Sequence, residues 1–159
     1  MEKAREFLQL DKEAAQSVSR LTGSIRPPRV GFEFGFYNDF AVRGIRIDRV
    51  EPGFVSCSFR VPARLTDKSG NLATGAIANL VDEVGGSSVH ILGTMKVSVD
   101  MSISFLGTAK LDDELEIRSK VLGQKGSYCG TIVLIRNKAT GELIAEGRHS
   151  LFGNQSSKL

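Results

Sequence analysis

The sequence predicts an α+β domain in which an antiparallel sheet of about six strands wraps around one central helix. Three observations point to this architecture. The most apolar helical stretch of the chain lies at residues 72–86. Its apolar residues recur at helical spacing, and this pattern continues to Ile91. Before and after this stretch, apolar and polar residues alternate with a period of two, as in strands with one buried face. The segments also occur in the order hairpin, helix and an up-and-down run of strands.

An accessory helix is predicted for residues 2–22, because apolar side chains recur there every three or four residues and Gly23 supplies a stop. The following residues, 25–40, contain two prolines, two glycines and five aromatic residues. This segment is too punctuated for a long element and too aromatic for a solvated loop. We expect it to cover a hydrophobic surface or to line the entrance of a pocket.

The predicted strands begin with a hairpin whose turn lies at residues 51–53. After the helix, residues 97–105 show the cleanest alternation in the chain, which predicts a strand with one apolar and one polar face. Two further strands are expected at residues 114–122 and 128–136, and a last strand at residues 143–151. Such a sheet has exposed edge strands, so pairing with a second copy of the chain is expected.

Length and composition predict one globular domain, since the chain has 159 residues, of which 41% are hydrophobic and 25% charged. The predicted domain occupies residues 41–152, after an N-terminal helix and aromatic connector at 1–40 and before a flexible tail at 153–159. No apolar run approaches the ~20 residues that span a bilayer, and the N-terminus does not resemble a secretory signal. We therefore expect an intracellular protein without a membrane span.

Charge and cysteine usage exclude several classes of function. The net charge of +3 is a weak bias towards anionic partners, and scattered basic residues favour a phosphate-bearing ligand over a nucleic acid. Cys57 and Cys129 lie in strand-like patterns, which predicts buried thiols rather than a disulfide or a metal pair. The sequence contains no metal-ligand cluster and no glycine-rich nucleotide loop, so no cofactor is predicted.

The chain ends in the tripeptide Ser157-Lys158-Leu159, which is the peroxisomal address. It follows a polar stretch that is expected to be flexible and to present the tripeptide to the import receptor. The sequence therefore predicts a peroxisomal location.

Asp82 is the strongest candidate for a functional residue, because its carboxylate lies in the most apolar helical stretch. Glycine inside a helix costs up to about 1 kcal/mol relative to alanine, so several glycines beside one acid predict the close approach of a ligand or of a partner's backbone. The alternative is a helix with a polar edge and small residues where it packs against another element. The neighbours at helical spacing are Gly75, Ala78, Asn79, Gly85 and Gly86.

The two histidines are weaker candidates. His90 lies at the end of the predicted helix, where a histidine commonly caps carbonyls. His149 lies on a predicted strand with no acid and nucleophile spaced around it. Both are expected to be structural.

Three segments of the chain resemble the hotdog-fold thioesterases, and within them the small acyl-CoA thioesterases of the phenylacetate-pathway and acyl-CoA thioesterase 13 types. With the matching order of elements, the resemblance covers residues 41–152. It implies a hotdog fold, hydrolysis of acyl-CoA thioesters to free acid and coenzyme A, and a homo-oligomer that is either a dimer or a tetramer of hotdog dimers. The three segments are Leu80-Val81-Asp82, Val97–Met101, and Asn137–Gly141 together with Gly147-Arg148-His149.

The resemblance also implies roles for individual residues. Asp82 matches the family's catalytic carboxylate, which activates water or attacks directly. Thr74, followed by Gly75, stands where the family has the first glycine of a His-Gly-Gly motif, whose backbone N–H holds the oxyanion. Ser98 matches a serine near the nucleophile. Eight residues of helix separate Thr74 from Asp82 by roughly 12 Å, so the active site is expected to need two chains.

Two segments match those that hold coenzyme A in the family. Lys110, Lys125 and the loop N–H groups around Gly126 are the expected phosphate contacts. The first segment comprises Phe105, Leu106, Gly107, Thr108, Ala109 and Lys110, and the second comprises Gly123, Gln124, Lys125, Gly126, Ser127 and Tyr128.

Two positions depart from the family's pattern. The His-Gly-Gly motif reads Ala73-Thr74-Gly75 here, so the histidine that helps to polarise the thioester is absent. The family's upstream asparagine falls at Asp67, and Asp67 and Gly75 are counted with Asp82, Thr74 and Ser98 as the candidate catalytic residues. Thr74 is also a poor residue wherever a glycine needed positive φ. Two functions therefore stay open, an acyl-CoA thioesterase and a non-catalytic acyl-CoA-binding or regulatory hotdog protein. Release of free thiol from acyl-CoA distinguishes them.

Overall fold

The computed structural model describes residues 3, 8–9, 11–25, 35–93 and 95–153. The chain divides into two compact units, Met1–Asp39 and Phe40–Leu159. The tripeptide at 157–159 lies outside the described residues.

Helix α1 covers Lys12–Thr22. It begins where it does because the Asp11 side chain accepts a hydrogen bond from the N–H of Ala14 at 2.8 Å. The predicted helix is thus confirmed over these residues, while most of the residues before Asp11 lie outside the described ones. A short helix α2, Phe36–Val42, occupies the end of the aromatic connector, and residues 26–34 of that connector are not described.

The described residues of the second unit form a six-stranded antiparallel sheet that packs against a long helix, α3, at Thr74–His90. The spatial order of the strands is β1-β2-β4-β5-β6-β3. A 3-10 helix at Ala63–Leu65 precedes α3. The predicted α+β architecture is confirmed. The strands are β1 (Arg46–Glu51), β2 (Phe54–Arg60), β3 (Val97–Phe105), β4 (Glu114–Lys125), β5 (Tyr128–Asn137) and β6 (Leu143–Phe152).

The core lies between α3 and the sheet. Ile77, Leu80, Val81 and Val84 of α3 are buried, as the helical spacing predicts. Ile91 does not continue this stripe: α3 ends at His90, and Ile91 is 41% exposed. The sheet contributes Val55, Cys57, Phe59, Leu115, Ile117, Val133 and Ile135 to the same core.

Strand β3 forms one edge of the sheet, and a bulge at Val99 changes which way its side chains point. Ser98 pairs with Leu151 and Asp100 with Ser150, so Val99 is the extra residue. Successive residues of a strand point to opposite faces, and one extra residue reverses the pattern. The bulge therefore turns Ser98 towards α3, where simple alternation predicted it on the polar face with Asp100.

Candidate functional site

Asp82 of α3, Ser98 of β3 and His149 of β6 meet in one hydrogen-bond network. Ser98 Oγ donates to Asp82 Oδ1 at 2.6 Å. His149 Nε2 lies 2.9 Å from Ser98 Oγ and 3.2 Å from Asp82 Oδ1. The His149 side chain is fully buried, whereas that of Asp82 is 41% exposed. The network therefore holds one carboxylate oxygen in place and leaves the carboxylate accessible from solvent.

The surroundings of His149 favour one protonation state and one tautomer of its ring. Burial lowers its pKa, the charge of Asp82 opposes this, and the charge of His90 lowers it further. Nδ1 has no hydrogen-bond partner among the described residues. A neutral ring that is protonated at Nε2 fits both facts, because Nε2–H can donate to Ser98 Oγ and Asp82 Oδ1 while Ser98 donates to Asp82. His149 is thus a neutral donor that orients the other two side chains.

The sequence-based interpretation of His149 as lacking an acid and a nucleophile nearby is wrong. Its partners lie 51 and 67 residues away in sequence, on two other elements. One local signal was available. His149 lies with Gly147 and Leu151 on the buried face of β6, and a histidine on an apolar face requires hydrogen-bond partners.

Position 85 requires a glycine because the sheet packs closely against α3 there. A Cβ at this position would lie 2.6 Å from His149 Nδ1 and 3.3 Å from Thr131 Oγ1. The packing alternative therefore holds here, and the predicted approach of a ligand at Gly85 is wrong. A Cβ at Gly75 would meet nothing within 4 Å, and one at Gly86 would meet nothing closer than 3.8 Å, so open space exists at these two positions.

A cavity of about 260 Å³ opens beside Asp82. Three further titratable side chains line this cavity, those of Glu83, His90 and Lys96. Burial raises the pKa of Glu83, the charge of Asp82 raises it further and His90 opposes both, so Glu83 keeps its proton to a higher pH than an ordinary glutamate. We call this the Asp82 cavity. It is lined by Asp82, Glu83, Gly86, Ser87, His90, Lys96, Ser98 and Leu151.

A second cavity, of about 480 Å³, lies at the N-terminus of α3 and is called here the Thr74 cavity. Thr74 is the first residue of α3, and its N–H bonds to no described residue. A helix N-terminus leaves such N–H groups free and favours negative charge.

Asp112 is the one non-glycine residue with positive φ in the described part of the chain. Thr74 thus has negative φ, and the predicted conflict with a glycine conformation is wrong. The lining residues are Asp67, residues 71–74, Ile77 and residues 105–108.

Asp67 shapes the loop that leads into α3. Its Oδ1 accepts hydrogen bonds from the N–H groups of Ser69 at 2.8 Å and Asn71 at 3.0 Å. Gly70 completes this turn with φ of 76°. The Asp67 carboxylate is therefore engaged in the turn that precedes α3.

Within one chain the predicted site residues fall into two separate groups. The turn at residues 123–128 lies at the Ser98 end of the sheet, because Tyr128 pairs with Phe152, which pairs with Val97. Phe105 lies at the other end of β3, seven residues from Ser98, or roughly 23 Å at 3.3 Å per residue. One group therefore joins Asp82, Ser98 and the 123–128 turn. The other joins Thr74, Asp67 and residues 105–108, with Ala109 buried behind them.

The remaining candidates have structural contacts. Lys110 is exposed, and its N–H donates to Asp113 Oδ2 at 2.8 Å. His90 Nε2 lies 3.2 Å from the main-chain oxygen of Lys96, so it binds a carbonyl as predicted, although not one of its own helix. Cys57 and Cys129 are free and buried, as predicted. Burial and the charge of Asp48 raise the pKa of the Cys57 thiol to about 11.

Over the described ranges, no group of three or more His, Cys, Asp or Glu side chains is placed to hold a metal ion. In the same part of the chain, no helix is both long enough and apolar enough to cross a membrane.

Comparison with known proteins identifies the family. The sequence model of the thioesterase superfamily matches residues 69–144, which contain α3 and β3. Acyl-coenzyme A thioesterase 13 of Homo sapiens is 41% identical over 103 residues, which are 62% of this chain and 72% of the human protein. The chain belongs to the thioesterase superfamily and is a thioester hydrolase.

Solved structures agree on the fold. Zebrafish thioesterase superfamily member 2 is 28% identical, with a TM-score of 0.70 over 92% of this chain and 100% of the other. A hypothetical thioesterase of Streptococcus pneumoniae, solved with coenzyme A, is 27% identical, with a TM-score of 0.67 over 69% of this chain and 85% of the other. The predicted hotdog fold is confirmed.

The neutral, buried state of His149 predicts how stability depends on pH. Its pKa in the folded protein lies below its ordinary value of 6.5. Between these two values the unfolded chain binds a proton that the folded protein excludes, so the free energy of unfolding falls as the pH drops below about 6.5. The raised pKa of Glu83 acts with the opposite sign, closer to its ordinary value of 4.5.

We expect His149→Gln to show a shallower loss of stability than the wild type between about pH 7 and about pH 5.5 in urea unfolding. Glu83 is present in both proteins, so the difference between the two curves reports His149. Identical pH dependence in the two proteins would contradict a neutral, buried imidazole.

Proposed function

We propose that this protein hydrolyses acyl-CoA thioesters to a free acid and coenzyme A, at a site built from two copies of the chain. The observation that carries the proposal is the Asp82–Ser98–His149 network at the wall of a solvent-accessible cavity. The human relative is named as an acyl-CoA thioesterase, and the S. pneumoniae neighbour was solved with coenzyme A.

Asp82 is the general base of the proposed reaction. Ser98 and His149 both donate to Oδ1, and no described residue donates to Oδ2, which is left to face a water molecule. As the water oxygen bonds to the thioester carbonyl carbon, Asp82 takes the water proton and the carbonyl oxygen becomes an oxyanion. The C–S bond then breaks, the carbonyl re-forms, and the leaving thiolate receives the proton back from Asp82.

In the proposed site, the oxyanion that forms beside Asp82 is held by donors from a second copy of the chain. The N–H of Thr74 in a second copy supplies one, supported by the partial positive charge of its helix N-terminus. Strand β3 lies at the sheet edge with Val97, Val99, Met101 and Phe105 at least 40% exposed, which suits pairing with the β3 of that copy. The proposed assembly is a dimer, or a tetramer of two such dimers.

Two segments are proposed to hold coenzyme A, one from each chain of the site. Residues 105–110 come from the chain that supplies Thr74, and residues 123–128 come from the chain that supplies Asp82. Lys110, Lys125 and the N–H groups around Gly126 are the proposed partners of the phosphates, because cations and free N–H groups make the strong hydrogen bonds to phosphate oxygens.

The second candidate function is acyl-CoA binding without hydrolysis. It is favoured by the loss of the family's histidine, since Ala73 has no polar side chain and the Asp67 carboxylate accepts hydrogen bonds from its own turn. Loss of one donor to the oxyanion typically costs ~10²- to 10³-fold in rate. This loss is expected to slow the enzyme rather than to stop it.

The two functions differ in the release of free thiol. Purified protein is mixed with short-chain, long-chain and aromatic acyl-CoA substrates, and coenzyme A is measured with a thiol reagent. The thioesterase releases thiol from at least one substrate class above the rate of hydrolysis in buffer. Tight binding of acyl-CoA with no release from any substrate would establish the binding protein instead.

We also propose that the protein acts in the peroxisome, through the C-terminal tripeptide Ser157-Lys158-Leu159. Removing these residues from a protein tagged at its N-terminus is expected to move it from peroxisomes to the cytosol without changing its melting temperature. Continued import of the truncated protein would refute the proposal.

A further inference from the structure

Lys96 is a buried lysine between the Asp82 cavity and the turn at residues 123–128. It is 6% exposed, and lysines are almost never so buried unless the ammonium group has a partner. Its Nζ donates to the main-chain oxygen of Ser127 at 2.8 Å. The same side chain lines the Asp82 cavity, so one residue contacts both the turn and the cavity.

Lys96 also contacts the end of α3 through its main chain and the residue after β6 through its stem. The main-chain oxygen of Lys96 lies 3.2 Å from His90 Nε2 at the end of α3. A Cβ at Gly153 would lie 2.7 Å from Lys96 Cγ, so a residue without a side chain makes room for the lysine after β6. The N–H of Gly153 donates to the oxygen of Ser127 as well, at 3.1 Å.

The loop of this turn is short, because residues 123–125 and Tyr128 pair in the β4–β5 ladder and only Gly126 and Ser127 lie between the strands. Gln124, Lys125 and Gly126 are exposed, and Gly126 has φ of 58°. Gln124 Nε2 bonds only within the turn, to the oxygen of Gly126 at 3.1 Å. A charged donor makes a stronger hydrogen bond to a carbonyl than a neutral donor does. Lys96 is therefore the side chain that ties this turn to the wall of the Asp82 cavity.

We propose that Lys96 is a positioning residue that fixes the 123–128 turn relative to Asp82, and thereby sets where the nucleotide part of a thioester substrate lies. This inference rests on the proposed function, in which that turn holds coenzyme A. Binding energy from a remote part of the substrate is useful only when that part and the reacting carbon fit their sites together. Loss of the ammonium group is therefore expected to weaken the binding of the nucleotide part of the substrate and to leave the chemistry at Asp82 unchanged.

The test compares two substrates with the same acyl group, a coenzyme A thioester and an N-acetylcysteamine thioester, which lacks the nucleotide. Lys96→Met keeps the apolar stem and removes the ammonium group. We expect kcat/KM for the coenzyme A thioester to fall by about ten-fold, mainly through KM, and the value for the short thioester to stay within about two-fold. Lys12→Met, on the exposed surface of α1, is the control for loss of one positive charge.

A second variant covers the case in which Lys96→Met does not fold. Gly153→Ala would place a Cβ 2.7 Å from Lys96 Cγ and 2.8 Å from the main-chain oxygen of Met95, so it displaces the segment that carries Lys96 and is expected to shift the same substrate ratio in the same direction. An equal fall on both substrates, or no change on either, would overturn the proposal. If the wild type hydrolyses neither thioester, the proposed function itself fails, which is a different result.

Discussion

Asp82→Asn is expected to lower kcat for acyl-CoA hydrolysis by about 10³-fold or more, with little change in KM. The amide keeps the shape of the carboxylate and can still accept a hydrogen bond from Ser98 or His149. It cannot take a proton from water, so the step that forms the nucleophile is lost. The measurement is thiol release under saturating substrate, alongside acyl-CoA binding and thermal unfolding.

Asp100→Asn is the matched control for this variant. It makes the same chemical change on the same strand as Ser98, but beyond the bulge, on the face of β3 that points away from α3. It is expected to retain activity within about two-fold. Activity of Asp82→Asn within a few-fold of the wild type would remove Asp82 from the mechanism.

Thr74→Pro is expected to lower kcat by ~10²- to 10³-fold, because it deletes the N–H proposed to bind the oxyanion. Proline is well tolerated at the first position of a helix. The residue before it, Ala73, has φ of −62° and ψ of 141°, which suits a residue that precedes proline. The fold of α3 should therefore survive the substitution, as circular dichroism and the melting temperature would show.

Thr74→Ala distinguishes the contribution of the backbone N–H to activity from that of the side-chain hydroxyl. It removes the hydroxyl and keeps the N–H, and its activity is expected to stay within a few-fold of the wild type. Equal losses in the two variants would assign the effect to the hydroxyl and contradict an oxyanion site made by the backbone.

Local periodicity was sufficient to predict α1, α3 and the strands, and to single out Asp82 as the strongest candidate. Helix α3 and the strands after it follow from spacings of a few residues, because each buries one face against the other. Asp82 could be found because a carboxylate in an apolar helix is unusual on its own. The turn after β5 has a local cause of the same kind, since Asn137 Oδ1 accepts from the N–H groups of Ala139 and Thr140 at 2.9 and 3.2 Å.

The contacts within the site depend on geometry that no local pattern contains. The direction of Ser98 is set by the bulge at Val99, and strict alternation of the sequence hides that bulge. His149 gains its role from residues on α3 and β3, and Gly85 is small because that histidine lies against it. These features follow from how α3 packs on the sheet, so sequence spacing alone could not predict them.

The central claim is that each active site combines Asp82 of one chain with Thr74 of another, and a mixture of two inactive variants tests it directly. Asp82→Asn and Thr74→Pro chains are unfolded together and refolded, or co-expressed. In a mixed dimer, one of the two sites then contains both wild-type residues and the other contains neither. With random pairing, half of the dimers are mixed, so we predict recovery of about a quarter of wild-type activity from two proteins that are each nearly inactive. A mixture that forms mixed dimers and remains as inactive as its components would contradict a shared site.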